Sequence, residues 1–293
     1  MLAMGNEVRK TDEYKYFNQN VLKSARVLKD SLSEFITRRG KDLNTNILLN
    51  QTKDVIAMSL QPMDTFHMIR EVRKYDDITF LHSLNVAILS HTFGQWYHMS
   101  QEDVDILTLA GLLHDVGKMQ IPEEIIKKPG ALNKQEIQVI REHPQRGYSI
   151  LKDIPLDQRI KNAALMHHER CDGSGYPNHL KKDQIDDFSR IIAIVDCYDA
   201  LTSARLYRGA VCPFEVLRLL QKEDGTGFDS EYLHVFADGI AETYVDSDVI
   251  LSDGRRARIV GKNAYEPASP QIMLEGRVFN LQDLDTLSIE RIV

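Results

Sequence analysis

Several histidines and aspartates of this chain stand at or near the ends of apolar runs that are typical of buried helix faces. They are His114 and Asp115 after an apolar run over 107–113, His143, which we expect to close a helix before Pro144, His167 and His168 after 163–166, and Asp196 within 191–195. A single histidine on an apolar face is more often a hydrogen-bonded core residue than a ligand, and a buried charge needs a partner. Four such sites together favour a metal centre.

The donor atoms indicate which metals and which reaction such a centre would serve. Imidazole nitrogen combined with carboxylate oxygen suits Mn, Fe, Zn or Ni rather than calcium or an iron–sulfur cluster. Neighbouring helical residues point about 100° apart, so the adjacent pairs His114-Asp115 and His167-His168 fit two ions bridged by a carboxylate better than one ion. Two ions about 3.5–4 Å apart activate a water and neutralise the attacking and leaving oxygens, as phosphoester hydrolysis requires.

Residues 1–70 carry the pattern of amphipathic helices. Apolar residues recur at three- and four-residue spacing over 16–32 and again over 47–60, and Gly40 is expected to separate the two helices. Two interpretations stay open for this segment. It is a dimerisation or signal-receiving element, or its helices simply pack on the same core as the rest of the chain.

The helical pattern continues to about residue 244 and then changes. Ser100 and Asn133 are predicted N-caps, and Pro213 is expected in the first turn of a helix. From Asp248 onward, short alternating runs between turn residues predict a small β appendage with strands at 249–251, 256–260, 272–274, 277–281 and 287–292.

The composition is that of an ordinary globular protein. With 293 residues, 43% hydrophobic and 27% charged, the chain can bury a core without disulfides, and fibrous and disordered classes are excluded. The sequence lacks an apolar run of membrane-spanning length and a signal-peptide pattern, and three scattered cysteines fit a reducing compartment, so we expect a cytoplasmic protein. A net charge of −7 argues against duplex nucleic acid as a partner and leaves a small phosphate ligand open.

The order and spacing of the motifs resemble those of a known family. The motifs are His114-Asp115-Val116-Gly117-Lys118, His143-Pro144, His167-His168-Glu169-Arg170, Asp172-Gly173-Ser174-Gly175-Tyr176-Pro177, and Asp196 with Asp199-Ala200-Leu201-Thr202-Ser203. Over about residues 71–240 they resemble the HD-GYP family of HD-superfamily phosphohydrolases. The segment 251–255 is similar to an extension often appended to that family.

This resemblance implies a mainly α fold, an HD-type helical bundle with an N-terminal helical segment and a small C-terminal β appendage. It divides the chain into a regulatory or dimerising segment without a matching motif (1–70), an HD-GYP catalytic domain (71–244) and the β appendage (245–293). It implies an enzyme, a cyclic di-GMP phosphodiesterase that yields pGpG, and in some members GMP, through a two-metal-activated hydroxide.

The resemblance also implies the metal ligands. The first ion would take His82, His114, Asp115 and Asp196, and the second would take Asp115, His143, His167 and His168, with Asp115 as the bridge. His82 enters on the family's spacing, because by residue type alone it fits a core histidine equally well. The expected cofactors are two divalent transition metal ions, Fe or Mn first, with Zn or Ni as alternatives.

Lys118, Asp115 and Asp199 are the candidate catalytic residues. Lys118 follows His114 by about one helical turn, from where its charge would reach a phosphate oxygen and stabilise the transition state. Asp199 shares a helix face with Asp196, and it would orient a metal-bound water or a ligand group, or else accept a hydrogen bond behind the ligands. By resemblance, the ligand-binding residues would be Lys118, Tyr176, Arg205 and Arg208.

Two departures from the family pattern bear on the site. Ile78 stands where some relatives have a glutamate that binds a third metal, which favours a two-metal centre. Leu206 stands where the family usually has proline, a change that removes no functional group.

Two other functions stay open. Pocket contacts rather than metals select the bases, so the substrate could be another cyclic or linear nucleotide such as 3′,3′-cyclic GMP-AMP. A non-catalytic cyclic di-GMP receptor or interaction module is the second alternative, although no expected metal ligand is missing from the sequence. The macromolecular partners considered are a second copy of the chain, and a diguanylate cyclase or another signalling protein.

Overall fold

The computed structural model describes residues 12–37, 43–57, 78–203, 211–284 and 286–293. Helices make up most of these ranges, and a five-stranded antiparallel sheet follows at the C-terminal end. The predicted fold class, mainly α with a small β appendage, is confirmed. None of the helices in these ranges has the length and apolar composition needed to cross a bilayer. The expected helix break at Gly40 lies outside the described residues.

Two N-terminal helices, α1 (Asp12–Thr37) and α2 (Thr45–Ala57), pack on the helical core. Their apolar stripes are buried in the same hydrophobic cluster as the rest of the chain, Val21 and Leu28 from α1 and Val55 from α2 among them. The described part of the N-terminal segment therefore contributes to the common core, as one of the two interpretations expects.

The centre of the molecule is an antiparallel pair of helices, α3 (Ile78–Trp96) and α4 (Gln101–Leu113). Most of both helices is buried, since they make the most extensive helix–helix contact of the described chain. Ser100 caps α4 as predicted by accepting a hydrogen bond from the Asp103 amide, and α4 ends at Leu113.

The remaining helices of the described chain surround this pair. They are a short 3₁₀ helix (Val116–Gln120), α5 (Glu123–Ile126), α6 (Lys134–Ile140), α7 (His143–Leu151), α8 (Gln158–Met166), a 3₁₀ turn (Lys182–Gln184), α9 (Asp187–Thr202), α10 (Pro213–Gln221) and α11 (Ser230–Thr243). Asn133 forms a capping box with Glu136, and Pro213 starts α10, as predicted. The expectation that His143 closes a helix is wrong. It begins α7, because Pro144 fits the first turn of a helix and not its end.

The β appendage is a single sheet. Its strands are β1 (Asp248–Leu251), β2 (Arg256–Gly261), β3 (Gln271–Leu274), β4 (Arg277–Asn280) and β5 (Ile289–Ile292), in the order β4-β3-β2-β1-β5, with a 3₁₀ turn (Leu281–Asp283) before β5. Alternate residues of β1, β2 and β3 are buried, as the alternating sequence pattern requires. All five strands lie within two residues of their predicted bounds.

Candidate metal centre

The seven predicted metal ligands come from five helices and meet in the interior of the helical bundle. His82 lies on α3, His114 and Asp115 follow α4, His143 starts α7, His167 and His168 follow α8, and Asp196 lies in the middle of α9. His114, His143 and His167 are completely buried. Five of the seven lie at or just after a helix end, and the packing of these helices in one core brings them together with His82 and Asp196.

The ligand atoms fall into two groups. His82, His114 and Asp115 each offer one donor atom within 4.8 Å of the others. His143, His167 and His168 form a second group by the same criterion. The resemblance assigned these residues to two ions in the same way, with Asp196 added to the first set and Asp115 shared by both, and that assignment stays a prediction.

Asp115 lies between the two groups. Its Oδ2 atom is 3.4 Å from His114 Nε2 and 3.7 Å from His82 Nε2. Its Oδ1 atom is 3.2 Å from His143 Nε2 and 3.8 Å from His167 Nε2. One carboxylate therefore presents a separate oxygen to each group, which is the arrangement that a bridging ligand needs.

Asp196 also has contacts on both sides. Its Oδ1 atom lies 3.0 Å from His82 Nε2 and 3.9 Å from His114 Nε2, and its Oδ2 atom lies 4.0 Å from His168 Nδ1. The shortest of these distances joins Asp196 to His82 of the first group.

Hydrogen bonds at Nδ1 fix the orientation of most of the histidine rings. The Nδ1 atoms of His114, His143 and His167 lie 2.7, 2.7 and 2.8 Å from the carbonyl oxygens of Gly111, Ile140 and Ala163. A carbonyl oxygen can only accept, so Nδ1 carries the proton and the Nε2 lone pair of each neutral ring points into the cavity. Metal-binding histidines are commonly held in this way.

The atoms that line the cavity fit a cation. Nε2 of His143 lies 3.1 Å from Nε2 of His167, so two lone pairs face each other when both rings carry their protons on Nδ1. His114 Nε2 and Asp115 Oδ1 are buried, and within the described ranges neither makes a hydrogen bond. Buried polar atoms of this kind are costly unless something satisfies them, and one metal ion in each group would satisfy all four.

The pKa values of the buried groups suit metal binding. Burial by itself raises the pKa of Asp115, but the charges of Lys118 and His114 outweigh it and hold the pKa well below 3.8. Burial and the neighbouring His168 lower the pKa of His167 well below 6.5, and burial lowers the pKa of His168 to about 3 despite Asp196. An ionised carboxylate beside neutral imidazoles is the state that binds metals.

His82 differs from the other histidines in its partners. Its Nδ1 atom lies 2.7 Å from Asp199 Oδ2, and its Nε2 atom faces Asp196. Burial lowers the pKa of His82, but the hydrogen bonds with the two aspartates outweigh it and raise the pKa to about 9. A cation at Nε2 would replace that proton, so metal binding here releases a proton.

Lys118 lies beside the centre, although not on a continuation of α4. The chain leaves α4 at His114 and forms the 3₁₀ helix, from which Lys118 Nζ reaches to 2.5 Å from Asp115 Oδ2. Gly117 makes this turn fit, because a Cβ there would meet the His143 carbonyl oxygen at 2.0 Å. Any side chain at position 117 would therefore collide with the backbone of α7, which explains the glycine between Asp115 and Lys118.

Tyr176 contacts the second group through His168. The two rings stack with their centroids 4.7 Å apart and an angle of 24° between their planes. The loop that carries Tyr176 folds back so closely that a Cβ on Gly175 would meet the Glu169 Cα at 2.5 Å. Arg205 and Arg208, the other predicted ligand-binding residues besides Lys118, lie outside the described residues.

Glu169 is a residue to which the sequence analysis gave no role. Its side chain is buried and accepts hydrogen bonds from the amides of Asn178 at 2.6 Å and Leu180 at 3.0 Å. It therefore holds the loop that carries Tyr176 against the end of α8. Its position directly after His167-His168 was visible in the sequence, but the folded-back loop that supplies its partners was not.

The HD domain family profile matches residues 51–232. The chain belongs to the HD domain family. The HD domain match begins before residue 71, so it includes part of the N-terminal segment. The resemblance stated from the sequence is confirmed, since curated relatives of this chain carry the activity of the HD-GYP phosphohydrolases in their names.

Two curated relatives illustrate the similarity. A cyclic di-GMP phosphodiesterase of Pseudomonas aeruginosa is 30% identical over 236 residues, which are 80% of this chain and 57% of the relative. A 3′3′-cGAMP-specific phosphodiesterase of Vibrio cholerae is 38% identical over 178 residues, which are 60% of this chain and 41% of the relative. The chain thus spans little more than half the length of the first relative and less of the second.

A solved structure shares the fold. The HD-GYP protein Bd1817 of Bdellovibrio bacteriovorus superposes with a TM-score of 0.58 at 17% sequence identity, over 75% of this chain and 71% of that one. At this level of identity the likeness concerns the fold of the HD domain and its surroundings.

Proposed function

We propose that this HD domain protein is a metal-dependent phosphodiesterase that hydrolyses cyclic di-GMP to pGpG, with GMP as a further product to be tested. The observation that carries the proposal is the position of Asp115, whose two carboxylate oxygens face two separate groups of histidines. The name of the relative from Pseudomonas aeruginosa, a cyclic di-GMP phosphodiesterase, supports the choice of substrate.

The proposal assigns the seven ligands to two divalent ions. His82, His114, Asp115 and Asp196 would hold one ion, and Asp115, His143, His167 and His168 would hold the other. The mixed nitrogen and oxygen donors favour Mn or Fe, with Zn or Ni as alternatives. When bound, such ions supply a water nucleophile at neutral pH and neutralise charge on the phosphoryl oxygens.

The protein's own side chains would position the scissile phosphate and stabilise the charge that develops on it. The Lys118 side chain is 24% exposed while that of Asp115 is 1% exposed, so the lysine lies between the buried carboxylate and solvent. It can therefore contact a phosphate oxygen as negative charge builds up there. Tyr176 would line the nucleotide pocket beside His168, and Arg205 and Arg208 remain proposed ligand contacts.

Asp199 acts in this proposal through His82. The carboxylate is almost completely buried and contacts Nδ1 of that histidine, so it orients a ligand from behind. We assign catalysis to residues 71–244, while a regulatory or dimerising role of residues 1–70, beside their packing on the common core, stays a prediction. A cytoplasmic location, a homodimer and a signalling partner stay predictions.

A second substrate, 3′,3′-cyclic GMP-AMP, has one specific observation in its favour. The relative from Vibrio cholerae is 38% identical to this chain over 178 residues and carries specificity for that dinucleotide in its name. The two substrates share the phosphodiester chemistry and differ in one base. Contacts to the bases would therefore decide between them.

The test is an anaerobic incubation of the protein, loaded with Mn or Fe(II), with an equimolar mixture of the two dinucleotides. Chromatography follows the loss of each substrate and the appearance of pGpG and GMP. The control is the His114→Ala/Asp115→Ala variant, loaded in the same way, because it removes two donors of the centre.

The expected result is faster loss of cyclic di-GMP, which the control does not show. Preferential loss of cyclic GMP-AMP would make that dinucleotide the substrate in place of cyclic di-GMP. Binding of cyclic di-GMP without any product, by a protein with two ions bound, would instead establish the receptor alternative.

A further inference from the structure

Arg141 lies on the turn that also sets the position of the ligand His143. It caps the C-terminal end of α6, and its amide bonds to the Ile137 carbonyl oxygen. The next two steps along the chain are Glu142 and His143, whose ring is held by the Ile140 carbonyl oxygen. The same short segment therefore fixes a candidate metal ligand and the backbone of Arg141.

The guanidinium group of Arg141 faces the aromatic ring next to the metal donors. Its Cζ atom lies over the Tyr176 ring, 5.0 Å from the centroid. Tyr176 in turn stacks on His168. Arg141 is exposed whereas His143 is buried, so the arginine belongs to the rim of the site and the histidine to its floor.

The donor atoms of Arg141 are available to a ligand. Among the described residues, Arg141 forms no ion pair and no side-chain hydrogen bond, and the cation–π contact uses only the flat face of the guanidinium group. Two other cationic side chains near the centre already have polar partners within the described chain. Arg170 bonds to the carbonyl oxygen of Glu169 and lies over Phe228, and Lys118 is paired with Asp115.

A cyclic dinucleotide has two phosphodiester groups on opposite sides of one ring. When one of them lies at the metal donors, the other lies farther out, toward the rim. A guanidinium fork matches phosphate oxygens with two parallel hydrogen bonds, and Tyr176 would hold the fork in place beneath them. The proposed function gives the site such a substrate, and the inference rests on that proposal.

We infer that Arg141 is a specificity-determining residue that binds the second, uncleaved phosphodiester of the cyclic dinucleotide. Its role is to favour substrates with two phosphodiester groups over simple phosphodiesters. It leaves the reaction at the scissile phosphate unchanged.

The test compares two substrates in the metal-loaded protein. Cyclic di-GMP has the second phosphodiester, and bis(p-nitrophenyl) phosphate has only the one that is cleaved. The variants are Arg141→Gln and Arg141→Lys, and the matched control is Arg277→Gln, an exposed arginine on β4 of the distant sheet. Circular dichroism checks that all variants are folded.

Arg141→Gln should raise KM for cyclic di-GMP about tenfold or more, the usual effect of losing a charge-assisted hydrogen bond, with little change in kcat. Arg141→Lys should recover part of the loss. Hydrolysis of bis(p-nitrophenyl) phosphate should stay unchanged in both, and Arg277→Gln should match the wild type with both substrates. Inhibition of that hydrolysis by cyclic di-AMP should weaken by the same factor as inhibition by cyclic di-GMP, because the phosphodiesters are identical.

Three results would overturn the inference while leaving the proposed function intact. An unchanged KM for cyclic di-GMP would show that Arg141 does not bind the second phosphodiester. An equal loss with both substrates would mean that Arg141 only supports Tyr176 and His168. Weakened inhibition by cyclic di-GMP alone would assign Arg141 to guanine. If the wild type cleaves bis(p-nitrophenyl) phosphate and neither cleaves nor binds cyclic di-GMP, the proposed function itself fails, and this inference with it.

Discussion

Asp199 holds His82 from behind: its Oδ2 atom lies 2.7 Å from His82 Nδ1, and this contact turns Nε2 of the ring toward Asp196. Asp199 is only 1% exposed in its side chain. The sequence left two roles open for this residue, orientation of a water or ligand group and a hydrogen bond behind the ligands. The contact with His82 favours the second role.

We predict that Asp199→Asn weakens metal binding at the first group of ligands. The amide would keep the volume but lose the charge that orients and polarises the imidazole, and loss of such a partner typically costs about 10–100-fold in affinity. Titration of the metal-free protein with Mn²⁺ would measure this. Asp187→Asn, an exposed aspartate on the same helix, serves as the control. Wild-type affinity in Asp199→Asn would contradict the positioning role.

Asp115→Ala should lose metal from both groups, because its two oxygens face both. His143→Ala removes a donor from the second group alone, so this variant should bind about half as many ions as the wild type. Elemental analysis of the purified variants after reconstitution gives both numbers. Full metal content in Asp115→Ala, or the same loss in both variants, would refute the bridging assignment.

Lys118→Gln should lower kcat while metal content stays near the wild-type value. The change removes a positive charge beside Asp115 without removing a donor atom, and loss of one group that stabilises transition-state charge costs about 10²–10³-fold in kcat. Steady-state kinetics with parallel metal analysis would measure both. Lys128→Gln, a lysine paired with Glu136 away from the cavity, is the matched control and should behave as wild type. An unchanged kcat would remove Lys118 from the mechanism.

Asp229→Asn should destabilise the helical bundle at neutral pH. Asp229 is 2% exposed, pairs with Arg190 and with Lys182 at 3.0 Å, and caps α11. Breaking a buried pair on one side costs about 3 kcal/mol, which urea unfolding at pH 7 would measure. The control is Asp183→Asn, an exposed aspartate next to Lys182 in the sequence, which should change the free energy of unfolding little.

The stabilising effect of Asp229 should depend on pH. Burial raises the pKa of Asp229, but hydrogen bonds from Lys182 and Arg190 outweigh it and leave the pKa below 3.8. Because the pKa is lower in the folded state, the pair stabilises the protein above about pH 4, and this contribution disappears as the pH falls through the folded-state pKa. The stability difference between wild type and Asp229→Asn should therefore shrink below pH 4. A constant difference across this range would contradict the ion-pair explanation.

Local signals in the sequence were reliable where one short segment sets the outcome. The caps at Ser100 and Asn133 and the strands of the β appendage follow from residue type and periodicity, and the structure confirms them. The prediction that His143 closes a helix is also wrong for a local reason. A proline often follows the last turn of a helix, but it fits the first turn equally well, and Pro144 lies in the first turn.

The partners of Glu169 and Arg141 could not be predicted in the same way. Glu169 bonds to amides nine and eleven residues away in a loop without regular structure. Arg141 meets Tyr176 only because that loop folds back beside His168. Neither contact has a sequence periodicity, because each depends on the path of an irregular segment.

Residue types and apolar runs were enough to predict histidine and carboxylate donors beside buried helices, because metal preference is a property of residue type and buried helices are visible as apolar runs. His82 was the exception, since only the family resemblance pointed to it. The packing of the helices set two further relationships, the position of Asp115 between the two groups of donors and the contact of Asp199 with His82. Those relationships join helices far apart in the chain. Their distances are set by how the helices pack in one core, and no single segment contains that information.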